Sequence, residues 1–209
     1  MTAAASKLNP DLSGAAVPMS ALTSHSMRDG IVTIGPILPE DTGALFLWLN
    51  DVDAAELDLP FRPMDWMGYH NWLAEISRNG SVVLFAIRRL SHPAIIGYIA
   101  LTKIHPVHRS AELGLRIGAE ADRGKGYGSS ALALALRYAW NQLNLNRVQL
   151  TVLNTNQRAI SAYRAVGFQR EGLLRQAAFI GGNWCDVIQM GILNNAHGRD
   201  RPLTQIQAI

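Results

Sequence analysis

Two short stretches carry residue types whose spacing could do chemistry. The first is Arg123-Gly124-Lys125-Gly126-Tyr127-Gly128, followed by Ser129 and an almost wholly apolar helical run. Glycines at alternate positions leave backbone amides unshielded where a helix begins. Free N–H groups there, with the helix dipole behind them, bind anions and phosphates above all. A Cβ at these positions would block the close approach such binding needs, and Arg123 and Lys125 add positive charge. The second stretch is Asn156-x-x-Ala159-x-x-x-Tyr163-x-x-x-Gly167-Phe168. Tyr163 follows Ala159 by four residues and Asn156 by seven, so the three share one helical face. Asn156 suits an N-cap, and a phenol at Tyr163 can hand a proton to a leaving group.

Spacing eliminates two phosphate-binding motifs for the glycine stretch. A dinucleotide fingerprint starting at Gly124 would need glycine or alanine where Ser129 stands. It would also need an acid after the next strand, where the chain has Leu153-Asn154. A Walker loop needs Gly-Lys followed by Ser or Thr, and the chain has none. The pattern that is met is [Arg/Gln]-x-x-Gly-x-[Gly/Ala], at Arg123, Gly126 and Gly128.

The elements that must position these residues are legible from periodicity. Ile31 to Leu38 is β-rich and broken by Gly35-Pro36. Pro39-Glu40-Asp41 opens a helix ending near Asn50, with Leu45, Trp48 and Leu49 on one side. A loop from Asp51 to Pro63 holds Asp51, Asp53, Glu56 and Asp58. A second helix spans Asp65 to Arg78 and is stopped by Asn79-Gly80. Val82 to Leu90, Ala94 to Ile104 and Ala111 to Gly118 form a β-meander. The helix from Ser129 to Leu143, a strand from Arg147 to Leu153 and a helix from Asn156 to Val166 follow. Strands beginning at Gly167-Phe168 and spanning Trp184 to Leu193 close the pattern. The order β-α-α-β-β-β-α-β-α-β-β predicts an α+β fold, a mixed and mostly antiparallel sheet with helices on both faces.

Composition narrows the rest. In 209 residues, 48% hydrophobic and 17% charged, there is material for one sizeable core. The net charge of +3 is dispersed, which argues against nucleic-acid binding. The single cysteine, Cys185, excludes an internal disulfide and a Cys-rich zinc site. No apolar run reaches membrane-spanning length, so the expectation is a soluble, cytoplasmic protein with no membrane partner. Residues 1–27 read as a flexible tail, 28–194 as the functional domain and 195–209 as a second tail.

Taken together, the two motifs in this element order resemble the GNAT superfamily of acyl-CoA-dependent N-acetyltransferases. The similarity is greatest to the branch holding ribosomal-protein N-terminal and spermidine acetyltransferases. The resemblance runs from about Ile31 to Leu193 and includes Gly182-Asn183-Trp184-x-Asp186-Val187. It implies acetyl-CoA as co-substrate and no metal. The amides from Arg123 through Gly124, Lys125, Gly126, Tyr127 and Gly128 to Ser129 would hold the pyrophosphate. The pantetheine arm would lie between splayed strands, near Leu115, Arg116 and Ile117 on one side and Leu153-Asn154 on the other. Asn156 and Ala159 would touch that arm, and Tyr163 would be the general acid. Direct attack in a ternary complex is implied, by a monomer or homodimer.

For the base, strand alternation puts Glu112, Gly114, Arg116 and Gly118 on one face and Leu113, Leu115 and Ile117 on the other. Relatives carry a glutamate at the position of Glu112, which would act directly or through water. The competing reading is an ion pair with Arg116 or another base. His105 and His108 are reserve candidates. Asp186 is read first as a structural hydrogen-bond acceptor. Cys185 has no base near it in sequence for a ping-pong route. The acceptor would be a polyamine, amino sugar, antibiotic or peptide N-terminus, met by the acidic loop or by Trp48, Phe61, Trp66 and Trp72. The alternative function is a catalytically silent acyl-CoA-binding module of the same fold.

Overall fold

The computed structural model describes residues 26–51 and 62–194. Within them lie β1 (Met27–Arg28), β2 (Val32–Gly35), a 3-10 turn (Pro39–Asp41), α1 (Thr42–Leu49) and α2 (Trp66–Arg78). The meander follows as β3 (Val83–Arg89), β4 (Ile95–His105) and β5 (Ser110–Ile117). Then come α3 (Tyr127–Asn141), β6 (Arg147–Leu153), α4 (Gln157–Ala165), β7 (Gln169–Ile180) and β8 (Asn183–Leu193). The predicted α+β order holds throughout, with β1 as an addition: Met27 pairs with Ile34 and so is strand rather than tail. The rest of the two predicted tails, apart from Ser26, lies outside the described residues, as do Asp53, Glu56, Asp58 and Phe61.

One eight-stranded sheet runs in the order β1-β2-β3-β4-β5-β6-β8-β7. Every neighbouring pair is antiparallel except β5 and β6. That one parallel pair needs a crossover, and α3 supplies it. Helix α3 buries Ala131, Leu132, Leu134, Ala135, Leu136 and Ala139. Small residues alternating with leucines let it lie close on the sheet. Each fully buried leucine stabilises by about 1.5–3 kcal/mol. Gly128 of α3 faces Leu115 and Ile117 of β5. The alternating Arg116 and Gly118 meet Asp51 and Trp48 at the end of α1. Helices therefore cover both faces.

A buried ion pair fastens the turn before α1 to β3. Arg88 donates to the Asp41 carboxylate, and their side chains are 5% and 3% exposed. The Leu38 amide donates to Asp41 Oδ2 at 2.7 Å, and Arg88 Nη1 donates to Pro36 O at 3.3 Å. Burial pushes the Asp41 carboxyl above its ordinary value, while the Leu38 amide and the Arg88 charge pull it back. Tyr69 of α2 is fully buried. Burial, with the Asp41 charge second, pushes its phenol up to about 12.

Candidate active site

The site originates in a failure of strand pairing. β5 and β6 share only the rungs Ser110–Arg147, Ala111–Val148 and Glu112–Gln149. Beyond Glu112 each strand keeps its other partner. β5 stays on β4 as far as Ile117 opposite Gly97, and β6 stays on β8 as far as Leu153 opposite Val187. The two strands therefore diverge as a V. Backbone N–H and C=O groups on its inner edges lack a strand to pair with.

A cavity of about 460 Å³ opens at this V. Leu115, Arg116 and Ile117 of β5 and Thr151 and Val152 of β6 form its strand walls. The glycine loop closes one side through Arg123, Gly124, Gly126, Gly128 and Ser129, and α4 closes another through Asn156, Ala159 and Tyr163. The sequence motifs, 28 residues apart from Gly128 to Asn156, thus face one space.

Backbone conformation calls for glycine at two positions of the loop. Gly124 and Gly126 have φ of +75° and +82°, a region that L side chains rarely adopt. Gly128 is different: it is inside α3, and an added Cβ would make only ordinary contact with Leu115 Cδ2, at 3.4 Å. Gly126 is the N-cap of α3, and the Ser130 amide returns to Gly126 O at 3.0 Å. The amides ahead of Ser130 in that first turn have no carbonyl one turn below to receive them. The cradle is thus made of backbone donors at the positive end of a 15-residue helix.

Side chains in the loop serve it differently from the expectation. Arg123 turns inward: Nη2 donates to Gly118 O at 2.8 Å and Nε to Ile117 O at 3.3 Å. It ties the loop to the end of β5 and does not reach out as a free charge. Lys125 is exposed and Tyr127 packs against the core cluster, and neither lines the cavity. Asn154 is also outside the wall, its amide donating to Asp186 O at 3.0 Å. Residues that sequence reasoning passed over include Thr151, Val152, Arg158 and Ala162. Arg158 and Ala162 flank Ala159 on α4, so a fuller helical projection of the motif would have found them.

On α4, the Asn156 side chain accepts from the Ala159 amide at 3.1 Å, the predicted cap. Tyr163 is 8% exposed, lines the cavity and meets Phe168 edge-on at 5.9 Å. Glu112 occupies the last rung at the apex of the V, outside the cavity wall. Its carboxylate accepts from Lys103 Nζ at 2.9 Å and from Gln149 Nε2 at 3.5 Å. The basic partner is therefore Lys103, while Arg116 pairs with Asp51 at 3.5 Å.

The reserve candidates are elsewhere. His105 and His108 stack on each other at 4.1 Å in the exposed β4–β5 turn. Asp186 accepts from the Gln176 amide at 2.8 Å, a structural role at the β7 bulge. Among the described residues Cys185 donates to Asn183 O alone, at 3.8 Å. Among the described residues no group of His, Cys, Asp and Glu could hold a metal, and no helix is long and apolar enough to cross a membrane.

Residues 32–169 match the family described as acetyltransferase (GNAT) domain. The chain belongs to the GNAT acetyltransferase family. Among curated relatives, this GNAT domain is 37% identical to the spermidine N(1)-acetyltransferase of Vibrio cholerae over 103 residues, 49% of this chain and 59% of the relative. It is 38% identical to that of Escherichia coli K12 over 101 residues, 48% and 54% of the two chains. The matched stretch thus spans little more than half the length of these curated relatives. A solved structure of the Vibrio cholerae spermidine N-acetyltransferase, in complex with CoA and spermine, superposes with a TM-score of 0.71 at 27% identity. That superposition covers 78% of this GNAT chain and 95% of the other.

Proposed function

We propose that this GNAT protein transfers an acetyl group from acetyl-CoA to a primary amine, with a polyamine as acceptor. The observation that carries the reading is the V between β5 and β6. Its unpaired inner edges run along a cavity that ends in a cradle of backbone amides. An extended arm bearing amides, joined to a diphosphate, is the ligand chemistry that answers both features. The glycines at positive φ, Gly124 and Gly126, also fit such a ligand, since they keep the loop amides unshielded. When bound, acetyl-CoA supplies the activated acyl thioester.

The chain's own residues would then act as follows. Loop amides from Gly124 to Ser129 anchor the diphosphate, and the edge amides near Leu115 to Ile117 and Thr151 to Val152 orient the arm. Tyr163, in the wall and largely shielded from water, holds a proton for the departing sulfur. Glu112, on the face opposite Leu113 and Leu115, meets the incoming amine, exchanging its contact with Lys103 for one with the substrate. Asp51 and Glu112 supply acidic character to the acceptor side. The spermidine acetyltransferase relatives support a polyamine over an amino sugar, an antibiotic or a peptide N-terminus.

One observation favours a second reading, a silent acyl-CoA-binding module: the Glu112 carboxylate is already engaged by Lys103. Two measurements separate the readings. Thermal stability is followed with acetyl-CoA, and thiol release with spermidine, spermine, amino sugars, aminoglycosides and peptides. We expect stabilisation by acetyl-CoA and turnover with a polyamine. Stabilisation without turnover on any amine selects the silent module, and no stabilisation refutes both readings. Tyr163→Phe should bind acetyl-CoA normally and lower turnover by about 10²–10⁴. Full turnover in that variant would remove Tyr163 as the acid.

A further inference from the structure

The charged groups in the cavity wall are Arg116, Asp122, Arg123 and Arg158. Three are already engaged. Arg116 pairs with Asp51 and Asp122 with Arg89, each at 3.5 Å. Arg123 donates to the carbonyls of Ile117 and Gly118. Arg158 differs. It is exposed, and among the described residues no hydrogen bond or ion pair engages its guanidinium.

Its setting is also specific. Arg158 is the second residue of α4, so the positive end of that helix lies beneath it. Ser161, Ala162 and Ala165, three, four and seven residues on, line the same wall. Small side chains there leave low relief beside the guanidinium, with room for a ribose or a flat ring. The cavity thus offers anions two separate places, backbone amides at the glycine loop and a planar charged fork on α4. A ligand with a single diphosphate needs only the first. A ligand carrying a diphosphate and a separate phosphomonoester uses both.

We propose that Arg158 forms a subsite for a terminal phosphomonoester, the 3′-phosphate on the ribose of coenzyme A. Through it the protein distinguishes coenzyme A from 3′-dephospho-coenzyme A. The proposal rests on the reading of the cavity as a coenzyme A site. A guanidinium is suited to the task because its fork matches phosphate oxygens pairwise and its charge does not titrate.

The test is calorimetric titration of the full chain with coenzyme A and with 3′-dephospho-coenzyme A, using wild type, Arg158→Gln and Arg158→Lys. Wild type should prefer coenzyme A by about tenfold, the size expected of one solvent-accessible charge-assisted contact. Arg158→Gln should lose that preference while its affinity for the dephospho form stays within about twofold. Arg158→Lys should keep part of it, and added salt should erode the wild-type preference. Equal weakening of both ligands in Arg158→Gln would place the guanidinium on the diphosphate and overturn the proposal. A preference that survives in Arg158→Gln, or none in wild type, would overturn it as well, with the coenzyme A site left standing. Failure of wild type to bind either ligand would remove the site and the proposal together.

Discussion

The contact between Trp48 and Gly118 joins α1 to the chain entering the glycine loop, and it has no slack. A Cβ built on Gly118 would lie 2.0 Å from Trp48 Cε2, 2.2 Å from Cζ2 and 2.4 Å from Nε1. Carbon atoms at rest are about 3.5–4.0 Å apart, so the indole of a Gly118→Ala variant must retreat by roughly 1.5 Å. Overpacking of this kind costs about 1–3 kcal/mol. Restricting the unfolded backbone returns about 0.4–1 kcal/mol, because Gly118 has no positive φ to defend. The net expectation is a loss of about 1–2 kcal/mol.

Urea unfolding followed by far-UV circular dichroism measures it, in a cycle with Trp48→Ala. Removal of the ring opens the space, so in the Trp48→Ala background Gly118→Ala should be neutral or stabilising by up to about 1 kcal/mol. The change of sign between backgrounds is the signature. An equal cost in both backgrounds, or no cost in the wild-type chain, would refute the steric argument.

Three further outcomes follow from other contacts. Asp41→Ala leaves Arg88 buried without a counter-charge and should cost about 3–5 kcal/mol in denaturant unfolding, with much of it recovered in Asp41→Leu/Arg88→Met. Arg147 beside Glu171, through a hydrogen bond first and charge second, holds the Glu171 carboxyl below its ordinary 4.5. The unfolded chain therefore binds more protons as pH falls, so this contribution is present above about pH 4.5 and lost through the lower folded value. The pair is 27% and 36% exposed, so its worth is under about 1 kcal/mol, and Glu171→Gln should flatten the acid limb of the stability curve by that amount. Gly126→Val forces a β-branched residue to φ of +82° and should abolish coenzyme A binding, measured by calorimetry, at a stability cost of about 1–2 kcal/mol.

What was legible in the sequence divides along a physical line. Periodicity located the strands and helices to within a few residues, because each has one buried face. The shared face of Asn156, Ala159 and Tyr163 is legible from spacing, and the cap at Asn156 from residue type, since both lie within one helix. Contacts between elements were not legible. That Arg123 would fold back onto Gly118 O, that Lys103 and not Arg116 would hold Glu112, and that Trp48 would press on Gly118 all depend on how elements far apart in sequence meet. Strand β1 was missed because its two residues are too short a run to show a period. Arg158 falls at a variable position of the motif, beside the fixed Ala159, and so the motif alone does not point to it.

The V between β5 and β6 explains why the cofactor half of the site could be read and the acceptor half could not. Both strands are held straight from outside, β5 by β4 and β6 by β8. The gap therefore cannot close by local bending, and its unpaired backbone groups require a partner from solvent or from a ligand. Backbone donors are indifferent to side-chain identity. Only the glycines that expose them and the helix that aims them need be written in the sequence, and those are local features. An acceptor, by contrast, would be met by side chains brought together from different elements, which on the proposed reading include Glu112 on β5, paired with Lys103 on β4, and Asp51 beyond α1. No spacing rule links positions 51, 103 and 112. The fold alone makes them neighbours of one strand, and so a motif can name the cofactor while the amine must be found by assay.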